Sequence, residues 1–371
     1  MVNVFVNYHK FSKFQSSSDI SYAKYFKGLE NENLQIVYNE SRLSCFVADL
    51  SITLSRSRRL HRYGFLKKLL FFWSRHTIIF PWQLKNIDVV ITHWFFPIFL
   101  FKKRLPLLFS SAFVSNEYAG ATSDEERMSD VKLRKEWYAK SDVVSFCAQS
   151  WIKHFNSIDN TFKDKIIFLP RLLPNTNPVS VEEVEQKFNN REKINVLFVG
   201  RDGKRKGLDE FLEALTEIAF FPELANKILV TIVTATKFDR PKNIEMEIYP
   251  PLENRKVVEL MHKAHIFCLP THRDSYGLVF IEAMSSGCAV IADKRNPRTE
   301  FFEDGECGVL VKNNKDEILR ALKRLVEDSE LSKSLALKAL KRFNSIYSFE
   351  KAKQDYLQVI NNLSNTSKKL E

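Results

Sequence analysis

Short apolar runs separated by longer mixed stretches set the pattern of the first half of the chain. They fall at residues 2–7, 34–38, 87–92, 106–111, 143–147 and 165–169. Strand-length runs alternating with helical or loop stretches predict an α/β sheet with mostly parallel strands. The run Pro174-Asn-Thr-Asn-Pro178 breaks the pattern, and the polar stretch Glu182 to Lys193 reads as a linker. A second α/β unit follows, with strands near 194–199, 228–234, 265–269, 288–292 and 308–311. From Lys315 onward the periodicity is helical, over 315–327, 329–344 and 349–363, and the final residues Ser364 to Glu371 read as a frayed tail.

A length of 371 residues suggests two domains, and 44% hydrophobic with 27% charged residues is the composition of a soluble globular protein. Cys45, Cys147, Cys268, Cys288 and Cys307 are odd in number and scattered, with no CxxC. That favours reduced thiols and a cytosolic setting over disulfides or zinc. The N-terminus, Val2-Asn-Val-Phe-Val-Asn7, reads as a first strand and not as a secretory signal. The best membrane-span candidate, Trp94 to Phe101, is eight residues long, contains a proline and runs into Lys102, Lys103 and Arg104. A span needs about twenty apolar residues.

The charge is placed unevenly. Residues 51–104 hold eleven Lys and Arg against one acid, Asp88, for a net +10 in a chain of net +11. Bases such as Arg58, Arg59, Lys67 and Lys68 interleave with Tyr63, Phe65, Phe71, Phe72 and Trp73. Cations alternating with large apolar groups describe an interfacial segment on anionic lipid, and the patch is assigned to membrane or acceptor binding. A core helix with a solvated basic face is the plainer alternative. Nucleic-acid binding ranks below both, because no recognition motif accompanies the charge.

The chemistry concentrates in the second half. Asp274-Ser-Tyr-Gly-Leu-Val-Phe-Ile-Glu282-Ala-Met-Ser-Ser-Gly287 places two carboxylates eight residues apart, one on a loop and one inside the following helix. Loop amides feeding a helix N-terminus make a ready anion site. Upstream, Val196-Leu-Phe-Val-Gly200-Arg201-Asp-Gly-Lys-Arg-Lys206-Gly207 reads as a buried strand, a basic turn and an amphipathic helix starting near Leu208. Between them lies the short apolar strand Ala264 to Thr271, and downstream comes Glu300-Phe-Phe-Glu-Asp-Gly305-Glu-Cys-Gly308. A lone pair of acids eight apart is usually just two solvated side chains, but four ordered segments within 194–312 are hard to obtain by chance.

Together these segments resemble the retaining glycosyltransferases of GT-B architecture called family 4, or glycosyl transferases group 1. The family pattern is Glu, seven residues, Glu, and here the first Glu is Asp274. The resemblance implies two Rossmann-like domains facing each other across a cleft. It divides the chain into an acceptor domain at 1–178, a linker at 179–193, a donor domain at 194–345, and a last helix with tail at 346–371 that returns to the N-terminal domain. Arg201 and Lys206 would grip the donor diphosphate, with Gly200 at their turn and amides near Tyr276, Gly277 and Leu278 adding hydrogen bonds. Glu282 would hold the ribose diol, Asp274 would face the sugar, and the base would rest near Thr234 to Thr236 and Tyr249 to Asn254. No Asp-x-Asp metal motif occurs and the family needs no such metal. No cofactor is expected, only a nucleotide-diphosphate sugar as substrate. His262 and His265 stand at helical spacing without further ligands nearby and read as a helix face.

The N-terminal half departs from the family. After the first strand comes Asn7-Tyr-His-Lys-Phe-Ser-Lys-Phe-Gln-Ser-Ser-Ser18, where many members carry Gly-Gly, and Ala112-Phe113 stands where many place a His. His93 is the nearest candidate for an active-site His, with a packed strand-end residue as the alternative. The expected activity is retaining transfer of a hexosyl-type sugar to a hydroxyl of a lipid-linked or growing glycan acceptor. The expected location is the cytoplasm, peripheral on the membrane face. A catalytically silent scaffold of the same fold and a nucleotide-sugar epimerase are the rivals.

Overall fold

The structure is a computed structural model. It describes residues 1–7, 25–38, 76–79, 81–92, 96–99, 105–111, 134–173, 176–190, 192–274 and 276–368. His93, Arg58, Arg59, Lys67, Lys68 and Trp73 lie outside the described residues. The chain forms two compact units. The first comprises residues 1–116, 120–174 and 349–371, and the second residues 117–119 and 175–348.

The first unit carries β1 (Val2–Asn7), β2 (Leu34–Tyr38), β3 (His76–Ile79), β4 (Val89–Thr92), β5 (Phe96–Phe99), β6 (Leu107–Ser111), β7 (Val143–Phe146) and β8 (Ile166–Phe168). Six of these form one sheet in the order β2-β1-β4-β6-β7-β8, and β3 pairs with β5 apart from it. Every pairing of the large sheet is parallel, with Val4 opposite both Ile36 and Val89. The strands at the sheet centre bury nearly every side chain, as a parallel sheet covered on both faces requires.

Helix α1 (Gln149–Ile158) packs Trp151 and Phe155 inward, and Tyr138 meets the Phe155 ring edge-on at 5.3 Å. Another part of the core is closed by the chain's last helix (Phe349–Lys368). Its Ala352, Tyr356, Ile360 and Leu363 recur at helical spacing and sit against Val4, Val6, Ile36, Val89 and Ile91. Phe26 packs on Tyr356, ring centroids 5.5 Å apart.

The first element of the second unit corrects the expected division. The polar stretch read as a linker holds helix α2 (Val181–Asn189). Ser180 and Glu183 form a reciprocal capping box, which starts the helix despite its acidic sequence. Val184 and Phe188 turn inward, Val179 N donates to Ser285 O, and Phe188 packs edge-on against His265. Burying those two apolar side chains outweighs the polar appearance of the rest.

The sheet is β11-β10-β9-β12-β13-β14, all parallel. Its strands are β9 (Ile194–Val199), β10 (Ile228–Val233), β11 (Met246–Tyr249), β12 (Ile266–Leu269), β13 (Ala289–Asp293) and β14 (Val309–Val311). β11 lies at the sheet edge with no fully buried side chain, so it lacks the apolar run that betrays the buried strands. The helices of this unit include α3 (Gly203–Lys206), α4 (Leu208–Ile218), α5 (Asn254–Lys263), α6 (Leu278–Ser285) and α7 (Lys315–Glu327). In this sheet, as in the first, the chain reverses its direction of strand addition beside the first strand. Open α/β sheets bind ligands outside the strand carboxyl ends at such a point.

Candidate functional site

The site of the second unit lies where β9 and β12 end. After β9 the chain turns through Gly200 and Arg201 into α3, whose first turn is capped by Asp202. Gly203 N donates to Thr236 Oγ1 at 2.9 Å, and Ala235 N donates to Arg201 O at 3.1 Å. The basic turn is thus fastened to the loop after β10. Thr234 is buried there and its hydroxyl accepts from Thr236 N, so its visible part is to hold this loop. Gly207 ends α3 with a φ of 82°. A Cβ added at Gly207 would lie 2.0 Å from the carbonyl oxygen of Pro270, so only glycine lets the two loops approach this closely.

The contact continues beyond Pro270. Arg205 O accepts from His272 N at 3.0 Å and from Thr271 Oγ1 at 3.2 Å, while Arg205 Nη1 donates to Arg273 O at 2.7 Å. The result brings two predicted residues together: Lys206 Nζ lies 2.5 Å from Asp274 Oδ2, with side chains only 11% and 17% exposed. The stem of Lys206 packs over Gly200, where an added Cβ would come within 2.8 Å of it. Arg201, in contrast, is exposed and its side chain has no partner among the described residues.

Gly277, at a φ of 90°, leads into α6, and Leu278 opens the helix. Tyr276 is buried, its ring edge-on to Phe301 at 5.0 Å. Glu282 lies inside α6 and accepts from Asn254 Nδ2 at 2.9 Å, a link to the first residue of α5. Burial raises the Glu282 carboxyl above its ordinary value, and the Asn254 hydrogen bond opposes that shift only in part. The far end of α6 is held by Lys187 of α2, which donates to Ser286 O at 2.9 Å. Burial lowers the Lys187 ammonium, yet its place at a helix C-terminus favours the charge.

Sequence reasoning missed the support beneath the carboxylate loop. Arg298 is fully buried and grips Asp293, also fully buried, through Nε at 3.0 Å and Nη2 at 2.8 Å. Its Nη1 reaches the carbonyl of Asp274 at 3.4 Å. Arg295 pairs with the same Asp293 and donates to the carbonyls of Thr271 and His272. The run Asp293-Lys-Arg-Asn-Pro-Arg298 looks like a solvated charged loop, so nothing in its pattern marks two of its charges as core. His265 is another difference. It follows α5 instead of sharing its face, accepts from Asn195 N at Nδ1, and bridges to Lys187 O through Nε2. Cys147, Cys268, Cys288 and Cys307 are buried free thiols, and burial pushes Cys307 up to about 12. Among the described residues no helix is long and apolar enough to cross a membrane.

Two parallel sheets in one chain, with a basic turn and a carboxylate loop at the strand ends of the second, define the GT-B class of glycosyltransferase folds. Solved structures share it over the whole chain. WaaG, a glycosyltransferase involved in lipopolysaccharide biosynthesis, aligns with 97% of this chain and 99% of its own at a TM-score of 0.55 and 17% identity. HepE of Anabaena, solved with UDP and glucose, aligns with 98% and 100% at 0.61 and 12% identity.

Residues 180–342 match the sequence profile of the glycosyl transferases group 1. An uncharacterized glycosyltransferase of Methanocaldococcus jannaschii is 26% identical over 227 residues, 60% of each chain. A phosphatidyl-myo-inositol mannosyltransferase of Mycolicibacterium smegmatis is 29% identical over 164 residues, 41% of each. The match thus spans 60% and 41% of the length of these two curated relatives.

Proposed function

We propose that the chain is a retaining glycosyltransferase moving a sugar from a nucleotide-diphosphate sugar to a hydroxyl of a lipid-linked or growing glycan acceptor. The observation that carries this reading is the pairing of Lys206 with Asp274 beside Gly277, the residue that leads into α6, with Glu282 farther along that helix and Arg201 on the same basic turn as Lys206. Departure of a nucleoside diphosphate builds negative charge on its terminal phosphate, and fixed cations are the strongest means of meeting it. Arg201 offers a planar fork suited to phosphate and Lys206 a point charge. Glu282, oriented by Asn254, has a second oxygen for a ribose diol.

The reading includes independence of metal, since the two cations take the developing charge, and activity undiminished by EDTA is the outcome it requires. HepE was solved with UDP and glucose, and WaaG serves lipopolysaccharide biosynthesis. The first supports a nucleotide-sugar donor and the second a surface-glycan acceptor. A cytoplasmic location, peripheral on the membrane, rests on the basic and aromatic content of residues 51–104.

A thermal-shift screen of UDP-, GDP-, ADP- and CDP-sugars is the test. A ligand bound only to the folded state raises the melting temperature by mass action, and the donor so found is then assayed for hydrolysis and transfer. Stabilisation by no nucleotide or nucleotide-sugar overturns the reading. Binding without hydrolysis or transfer favours a silent scaffold of the same fold.

A further inference from the structure

The two cations expected to grip the donor diphosphate differ in state. Arg201 is exposed and has no side-chain partner among the described residues, whereas Lys206 is committed to Asp274 at 2.5 Å. The carboxylate is held in place: Arg298 reaches its backbone carbonyl, and Arg295 fixes the carbonyls of Thr271 and His272 just before it. The oxygen that pairs with Lys206, Oδ2, is also 3.7 Å from where a Cβ on Gly277 would lie, beside the residue that caps α6. An anionic oxygen therefore already sits where a lysine and a helix N-terminus converge. That is the place a phosphoryl oxygen would seek.

We propose that Asp274 is an internal occupant of the phosphate site, displaced from Lys206 when the donor binds. The inference rests on the nucleotide-sugar reading above and adds a selection rule to it. A bare nucleoside diphosphate must break the Lys206–Asp274 pair and offers the released carboxylate nothing in return. A nucleotide-sugar breaks the same pair but presents sugar hydroxyls that the carboxylate can accept from. Asp274 thereby favours donor over spent product at one site, and re-forming the pair assists product release.

Isothermal titration of UDP, GDP and ADP, and of UDP-glucose, GDP-mannose and ADP-glucose, into wild type, Asp274→Asn and Asp274→Glu tests it. Removing the charge should tighten the cognate nucleoside diphosphate several-fold, the scale of one lost ion pair. The nucleotide-sugar should gain less, so the preference for donor over product shrinks. Asp274→Glu keeps the charge and should keep the wild-type preference. Asp274→Ser repeats the measurement should the amide variant fail to melt cooperatively. Unchanged or weaker diphosphate binding in the neutral variants overturns the internal occupant while leaving the donor site standing. A wild type that binds none of the six ligands, and no ligand of the wider nucleotide-sugar screen, overturns the glycosyltransferase reading itself.

Discussion

The two sheets of this protein are built alike and furnished differently. Each has six parallel strands, and each reverses strand order next to its first strand. At that point in the second unit, glycine-packed loops bring together Lys206, Asp274 and a basic turn, over a buried Arg298–Asp293 pair. At the matching point in the first unit, β1 and β4 end in a neutral clasp: Asn7 Nδ2 donates to Thr92 Oγ1 at 3.1 Å, both side chains buried. The doubly wound sheet thus supplies a location, and the loops supply the chemistry. At the strand ends of the second unit charged side chains are held by other charges, Lys206 by Asp274 and Arg298 by Asp293.

The largest expected effect breaks the support of the charged end. Arg298→Met leaves the buried Asp293 with only the half-exposed Arg295 as a charged partner, which should destabilise the second unit by up to about 3–5 kcal/mol. Asn7→Ala at the neutral clasp should cost about 1–3 kcal/mol and leave nucleotide affinity unchanged. Calorimetric melting with nucleotide titration reads both. Equal loss of nucleotide binding in the two variants would erase the contrast between the sheet ends.

Next come the cations themselves. Arg201→Ala and Lys206→Ala should each lower kcat/KM on the order of tenfold to a thousandfold with the identified donor, as for other lost transition-state donors. Steady-state assay showing near-wild-type turnover in either variant would remove that residue from the diphosphate grip.

Glu282 sharpens the comparison through pH. Its raised carboxyl means that burial favours the neutral form. A carboxyl raised on folding contributes stability that is present at low pH and lost as pH rises through its folded value. Glu282→Gln should therefore melt higher than wild type at neutral pH, and the gain should vanish as pH falls below the ordinary carboxylate range. The same variant should bind the diphosphate product several-fold more weakly, because a ribose diol donates to a carboxylate better than to an amide. Higher stability with undiminished product affinity would reject the ribose role.

The smallest effect concerns the first unit. Several bases of residues 51–104 acting together, each worth about 1 kcal/mol on anionic lipid, should give vesicle binding that fades with added salt. Co-sedimentation of wild type against a variant with Arg58, Arg59, Lys67 and Lys68 changed to Glu reads it. Equal binding to neutral and anionic vesicles would make the patch an ordinary solvated face.

Much of this was legible in the sequence because buried parallel strands leave continuous apolar runs. β1, β2 and β9 match their runs residue for residue. β11 was missed since an edge strand need not be apolar, and α2 was missed since two inward side chains are too few to mark a helix in an acidic stretch. Of the site, the residues proposed to face a ligand were named by the family resemblance of the segments around Arg201 to Lys206 and Asp274 to Glu282. Those beneath them, Arg298 and Asp293, were not, because a buried charge and an exposed one are spelled with the same letter.

The last helix has a consequence for how the protein is made. Ala352, Tyr356, Ile360 and Leu363 complete a core begun by Val4 and Val6, more than three hundred residues earlier. During synthesis the second unit, residues 175–348, has all of its own strands before that helix leaves the ribosome. The half of the protein translated first is therefore the half that finishes folding last, and until then it waits with an apolar wall uncovered.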